Sequence, residues 1–487
     1  MIVFRPLLII CFVIAGAINI GIAAPITAID PPAPEPTPDA PADNPLTPGG
    51  GQRLDGDAHS RLDLSGRNVT LDPHEEPMFS PQSQSGSWQN LGSGLQGLNG
   101  PVHAIAVSGT DIYVGGDFTN AGGVSGANYL ARWDGSQWHA VGGTNAMTGT
   151  VYAIAISGSN VYVGGVFENA GGMSSADGIA RWDGSQWHAL GSGIPYGIVY
   201  AIAISGSNIY VGGAFSEAGG VNGADNIARW DGAQWHTVGA PNAITSTVYA
   251  IAISGSDVYV GGSFANAGGV SGANRIARWD GAQWHTVGAP GAIDGPVYAI
   301  AVSGNDVYVG GRFTNAGGVS GANNLARWDG TNWNIVGGAN AINDDVEAIA
   351  ISGSTIYVGG WFTNAGGVTG ASKIARWDGA QWHALGNGNQ TINSISTIAI
   401  SGSDVYVGGS FHSIGGVSDL HFLARWDGSQ WHAVGGTNAL NSFVTALAIV
   451  GSNVYVGGYF VDAGGNPYAD YVARLTQFRV YLPLTVR

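Results

Sequence analysis

An all-β fold of eight four-stranded units closed into a ring follows from three observations. First, the segment Val151-Tyr-Ala-Ile-Ala-Ile-Ser-Gly158 returns with small changes at Val102, Val199, Val248, Val297, Val346, Ile395 and Val444. Successive offsets are 49, 48, 49, 49, 49, 49 and 49 residues, a period that belongs to propellers and solenoids and overrides any count of domains from length. Second, every unit holds four strand signals separated by turn residues. Third, the ends complement each other: Trp88-Gln-Asn-Leu-Gly92 supplies a fourth-strand signal before the first complete unit, and the last unit stops at Val472-Ala-Arg-Leu475 without one. The early strand can therefore complete the last unit, closing the ring and removing its exposed edges. The predicted fold is an eight-bladed β-propeller of four-stranded antiparallel blades. A linear β-solenoid, the competing reading, needs no such matching of ends, although Phe478 to Leu484 offers one further strand.

Within a unit the elements read in order. Val151-Tyr-Ala-Ile-Ala-Ile is the first strand, and Ser157-Gly-Ser-Asn160 a turn in which glycine accepts positive φ. Val161-Tyr-Val-Gly-Gly-x-Phe167 is the second strand. Asn169-Ala-Gly-Gly172 leads to the third, Ile179-Ala-Arg-Trp182, and Asp183-Gly-Ser-Gln186 reverses the chain into the fourth, Trp187-His-Ala-Leu190. That hairpin sets Trp182 opposite Trp187, a cross-strand aromatic pair. Fifteen of the sixteen tryptophans occupy these two positions and Trp361 is the exception. The strands are too uniformly apolar for a one-sided sheet, as blades packed on both faces require.

The rest of the chain is organised simply. Arg5 precedes an apolar run from Leu7 to Ile22, and small residues around Ala23 offer a cleavage site, so residues 1–23 read as a secretory signal peptide. A retained membrane anchor is the alternative. Residues 24–50 hold nine prolines and read as an extended linker. Residues 51–84 read as a polar, irregular segment, 85–477 as the propeller and 478–487 as a C-terminal tail. Cys11, inside the leader, is the only cysteine, so the mature chain has no disulfide and no thiolate metal site. Glycine is abundant at 81 of 487 residues, against an ordinary share of about 7%. The net charge of −16 argues against nucleic acid as a partner and against anionic lipid.

Repeated polar residues are first weighed as parts of the blades. His139, His188, His236, His285, His383 and His432 each follow a fourth-strand tryptophan. Metal ligands must converge to about 2 Å from one ion, whereas equivalent positions on separate blades diverge, so a structural role is expected and no metal is assigned. Arg132, Arg181, Arg229, Arg278, Arg327, Arg376, Arg425 and Arg474 repeat likewise and read as blade-stabilising partners of a repeated aspartate. Asp344, Asp345 and Glu347 form the one acidic group that breaks the repeat. No P-loop or dinucleotide fingerprint occurs, no catalytic residue is assigned, and no cofactor is expected.

The double glycine Gly164-Gly165 followed by Trp182 and Trp187 resembles the kelch motif, across roughly residues 88 to 475. It departs from kelch in the short Trp-Asp-Gly-x-x-Trp turn and in the extra Asn-Ala-Gly-Gly segment. The chain is more similar to exported bacterial repeat proteins built on Gly-Gly-x-Phe…Ala-Arg-Trp-Asp-Gly-x-x-Trp, and a related repeat occurs in fungal cell-cortex marker proteins. Val480-Tyr-Leu-Pro-Leu484 resembles a short tail of some secreted bacterial proteins. These resemblances imply the propeller fold and say little of function. The Asp-Gly-Ser-Gln-Trp turn is only distantly similar to the Asp-box of sialidases and lacks its spacing. The copper cofactor of galactose oxidase, another kelch-type propeller, needs a cysteine that the mature chain does not have.

Function is sought where near-identical repeats differ. The residue between Gly-Gly and Phe reads Asp117, Val166, Ala214, Ser263, Arg312, Trp361, Ser410 and Tyr459. Such variety places this position at a strand end open to solvent. The residue after the first valine also varies: His103, Tyr152, Tyr200, Tyr249, Tyr298, Glu347, Ser396 and Thr445. Loops between fourth and first strands differ most, and loops on a rigid scaffold are where binding concentrates. Arg312, Trp361, Asp117 and Tyr459 are the candidate ligand-contacting residues, Trp and Arg being favoured interface anchors. The expectation is a secreted or cell-surface binding module for an extracellular protein or glycan, with no membrane span left after leader cleavage. The alternative is a carbohydrate-active enzyme with its catalytic groups in divergent loops.

Overall fold

The computed structural model describes residues 67–71, 77–81, 88–91, 97–144, 146–386, 392–418, 420–436 and 439–476. The leader, the proline-rich linker and the C-terminal tail expected from the sequence lie outside these residues. Within the segment expected to be irregular, Arg67–Leu71 and Pro77–Pro81 pair as antiparallel strands. The alternation Asn68-Val-Thr-Leu71 is short and stands among polar residues and prolines, which is why the sequence reads as irregular there.

From Trp88 to Thr476 the chain forms eight four-stranded antiparallel sheets. Their first strands are Val102–Ser108, Val151–Ser157, Tyr196–Ser205, Val248–Ser254, Val297–Ser303, Val346–Ser352, Ile392–Ser401 and Val444–Val450, numbered here as blades 1 to 8. Each first strand packs on those of both neighbours, blade 8 on blade 1 included. The ring is therefore closed around the first strands, and the protein is an eight-bladed β-propeller. Closure follows the predicted route: Trp88 pairs with Leu475 and Gln89 with Arg474 on the outer edge of blade 8.

The double glycine is dictated by two close approaches. In blade 5 a Cβ on Gly310 would stand 2.5 Å from Cγ1 of Val346, where the first strand of blade 6 crosses the sheet. One on Gly311 would collide with the carbonyl of Pro296 in its own blade. The first obstacle is a side chain that can shift and the second is backbone. We therefore expect Gly311→Ala to destabilise more than Gly310→Ala, within the range of about 1–3 kcal/mol usual for overpacking. Urea unfolding of the two variants checks the order.

The Asp-Gly-x-x-Trp-His turn is a small self-contained network. Asp183 Oδ1 accepts from the backbone N–H groups of Ser185 and Gln186, each at 2.8 Å, and its Oδ2 lies 2.6 Å from His188 Nε2. The repeated histidine is thus engaged by the aspartate five residues before it. Blade 5 carries Asn334 instead, which donates to Asp329 Oδ2 at 2.8 Å. The repeated arginine uses a different acid, at the start of the second strand: Arg132 with Asp111 and Arg278 with Asp257, both at 2.8 Å. Asparagine accepts the same bond in blades 2 and 3, from Arg181 and Arg229.

The histidine contact and then the backbone bonds hold the carboxyls of Asp134 and Asp183 well below the usual carboxylate range. Their folded values lie under the unfolded value of about 3.9, so the unfolded chain binds more protons as pH falls. The contribution is whole above that pH and is lost as pH drops toward the folded values. The urea midpoint should fall between about pH 4 and pH 2, and replacing the turn aspartates with asparagine should flatten that decline.

Candidate binding face

Up-and-down strands give the ring two unlike faces. One bears the turns between first and second strands and those between third and fourth. These are nearly invariant: Gly109, Gly158, Gly206, Gly255, Gly304, Gly353, Gly402 and Gly451 all hold φ between 58 and 61°. The opposite face bears the connections that vary in the sequence. There, in seven of the blades, the loop entering the blade is tied to its second-to-third connection, as Gly171 N–H to Ala146 O and Gly268 N–H to Ala243 O, both 2.7 Å.

A β-bulge recurs at the start of every first strand and singles out the variable residue. In blade 2, Val151 faces Gly165 and Ala153 faces Gly164, so the register steps over Tyr152. The same shift steps over His103, Tyr200, Tyr249, Tyr298, Glu347, Ser396 and Thr445. A bulge re-aims a side chain that the pleat would otherwise commit to one face. Here the re-aimed rings meet around the mouth: His103 to Tyr152 at 5.1 Å between centroids, Tyr152 to Tyr200 at 5.9 Å, Tyr200 to Tyr249 at 6.4 Å and Tyr249 to Tyr298 at 5.8 Å. Burial pushes the phenols of Tyr152, Tyr200 and Tyr298 up from their ordinary value. In blades 6 to 8 the arc gives way to Glu347, with Ser396 and Thr445 buried. Variation at this position is therefore not a mark of exposure, because the mouth tolerates either packed rings or hydrogen-bonded hydroxyls.

The residue between Gly-Gly and Phe touches the bulged residue of its own blade. His103 Nε2 lies 2.9 Å from Asp117 Oδ2, Tyr249 Oη 3.3 Å from Ser263 Oγ, and Trp361 Nε1 donates to Glu347 Oε1 at 2.6 Å. It also reaches the residue leading into the next blade: Thr150 donates to Asp117, and Arg312 Nε donates to Asp345 Oδ1 at 2.8 Å. The two variable positions thus form one belt around one mouth.

All four candidate residues lie on this belt, in two groups across the ring from each other. Asp117 and Tyr459 flank His103, Tyr459 standing 6.1 Å from its ring. Arg312 and Trp361 stand on blades 5 and 6. Asp117, Arg312 and Tyr459 are exposed, as expected for a strand end, while Trp361 is half-buried. The hydrogen bond that Arg312 donates to Asp345 raises the Arg312 pKa and keeps the guanidinium charged. Sequence reasoning passed over Lys373 and Arg275. Lys373 Nζ donates to Trp361 O and lies 5.8 Å from the indole centroid, and Arg275 donates to Ser263 O. The available signal was that Lys373 is the only lysine of the chain.

No protein-family model matches the chain and no curated protein matches it. Among solved structures, the yeast Saccharomyces cerevisiae protein Sqt1 aligns with TM-score 0.47 at 11% identity, over 81% of this chain and 99% of its own. A computationally designed protein aligns with TM-score 0.46 at 18% identity, over 80% and 99%. BamB from Moraxella catarrhalis aligns with TM-score 0.39 at 14% identity, over 78% and 95%.

Proposed function

We propose that this protein is an exported, kelch-like propeller of bacterial type that serves as a non-catalytic recognition scaffold. It binds an extracellular protein or glycan at the variable mouth, with the proline-rich segment as its stalk at the cell surface. One observation carries the reading. The positions at which near-identical repeats differ gather in one hydrogen-bonded belt on one face, while the other face repeats the same turns. A merely structural ring has no reason to confine its variation to one mouth, whereas a binding module concentrates variety where the ligand sits. Arg312 and Trp361 on one side, with Asp117 and Tyr459 on the other, are the contacts.

A glycan array and a secretome pull-down with the full chain test this. Ligands retained by the native chain should be lost or weakened at least about tenfold when Arg312 and Trp361, or Asp117 and Tyr459, become alanine, since anchors of this kind each carry about 2 kcal/mol or more. Retention of every ligand by both double variants, with the ring still folded, would sink the proposal.

A further inference from the structure

Between Ser85 and Gln477 the chain has eleven basic residues, and eight of them are the repeated arginine of the third strand. The other three are Arg275, Arg312 and Lys373. They fall on consecutive blades 4, 5 and 6, and all three are anchored at the same mouth. Arg275 and Lys373 both donate to the carbonyl of the residue after Gly-Gly, in blades 4 and 6. Arg312, between them, is held through Nε by Asp345, and its side chain is 51% exposed against 8% for that carboxylate.

The acids of this sector are occupied by the protein itself. Asp294 accepts from Thr314, Asp344 from the backbone N–H of Asp345, and Glu347 from the indole of Trp361 and, at 3.5 Å, from Ser396. Within residues 85–477 of an otherwise acidic chain, the three non-repeating cations thus stand on adjacent blades, with the only non-repeating tryptophan among them. Gathered cations select an anion, and a fixed indole offers a flat apolar wall to a ring.

We propose that blades 4 to 6 bind an anionic oligosaccharide, with its carboxylate or sulfate groups on Arg275, Arg312 and Lys373 and a sugar ring against Trp361. This rests on the reading of the variable mouth as a binding face and names its ligand class. Asp345 acts as a positioning residue that orients Arg312 by engaging Nε, leaving the other edge of the fork for a carboxylate or sulfate.

Titration calorimetry of the full chain tests it with five probes: a hexagalacturonate, a sulfated galactan hexasaccharide, neutral galactohexaose, hexaglutamate and a short oligothymidylate. One or both anionic saccharides should bind, neutral galactohexaose at least about tenfold more weakly, and rising salt should weaken binding. Which of the two binds distinguishes carboxylate from sulfate. Arg312→Gln and Lys373→Gln should each reduce affinity about tenfold, Trp361→Ala should do the same, and Gln186→Ala, in an exposed turn of the opposite face, should leave it unchanged. Asp345→Asn should weaken the anionic saccharide while sparing any ligand lost on Asp117→Ala. Equal binding of the neutral saccharide, of hexaglutamate or of the oligothymidylate would overturn the assignment, as would no binding by either anionic saccharide. If it falls while array ligands are still lost on substituting Asp117 and Tyr459, the mouth remains a binding face. If no mouth substitution alters any ligand, the broader reading falls as well.

Discussion

A chain beginning at Gly97, and so lacking Trp88 to Leu91, should lose about 5 kcal/mol or more relative to one beginning at Ser85. Trp88 and Leu91 are 8% and 1% exposed, and removing such side chains costs about 3–5 and 2–5 kcal/mol respectively. The same cut bares the edge of the strand Val472–Thr476, on which Trp88 and Gln89 pair, and an unpaired edge invites association with other chains. It also removes the Leu91 carbonyl that accepts the indole N–H of Trp138 in blade 1. A loss of this size is comparable to the whole stability of many domains. The shortened chain should therefore unfold at much lower urea and associate in sedimentation. A shortened chain as stable as the longer one would mean that another segment completes blade 8.

Much of the ring was legible because its determinants are local or countable. The period of the Val-Tyr-Ala-Ile segment set the number of blades, and the unmatched ends at Trp88 and Leu475 set the closure. The register of the outer hairpin followed from the symmetry of Trp182 and Trp187 about a four-residue turn, and the two rings meet at 5.6 Å. Other features depend on three-dimensional coincidence. Val151-Tyr-Ala-Ile reads as an unbroken strand, so the bulge at Tyr152 was hidden, although the paired glycines opposite hinted at a close backbone approach. The bond between Asp183 and His188 crosses a turn whose geometry is set by Asp183 itself. Arg312, Trp361, Asp117 and Tyr459 were found by variation alone. What variation could not supply was their division into two groups, which follows from blade order, or the contacts with Asp345, Glu347 and Lys373, which depend on the bulge.

Trp284→Ala should cost about 3–5 kcal/mol, the range for truncating a buried aromatic. Trp284 is 4% exposed, stands 5.6 Å from Trp279 and donates its indole N–H across the blade boundary to the Val238 carbonyl at 2.7 Å. Gly239 and Gly268 leave the room it fills, since a Cβ on Gly239 would come within 2.8 Å of its Cδ1. Phenylalanine separates packing from hydrogen bonding. At position 284 it keeps much of the apolar contact but strands a buried carbonyl, at about 1–3 kcal/mol. At position 88 the comparison reverses, because the Trp88 indole N–H is buried without a hydrogen-bond partner, and phenylalanine there removes an unsatisfied donor. Trp88→Phe should therefore be milder than Trp284→Phe, while both alanine variants should be severe. Denaturant midpoints for the four proteins decide the matter. Equal phenylalanine penalties would mean that packing alone joins the blades, and a smaller penalty at 284 would mean that the inter-blade bond contributes nothing.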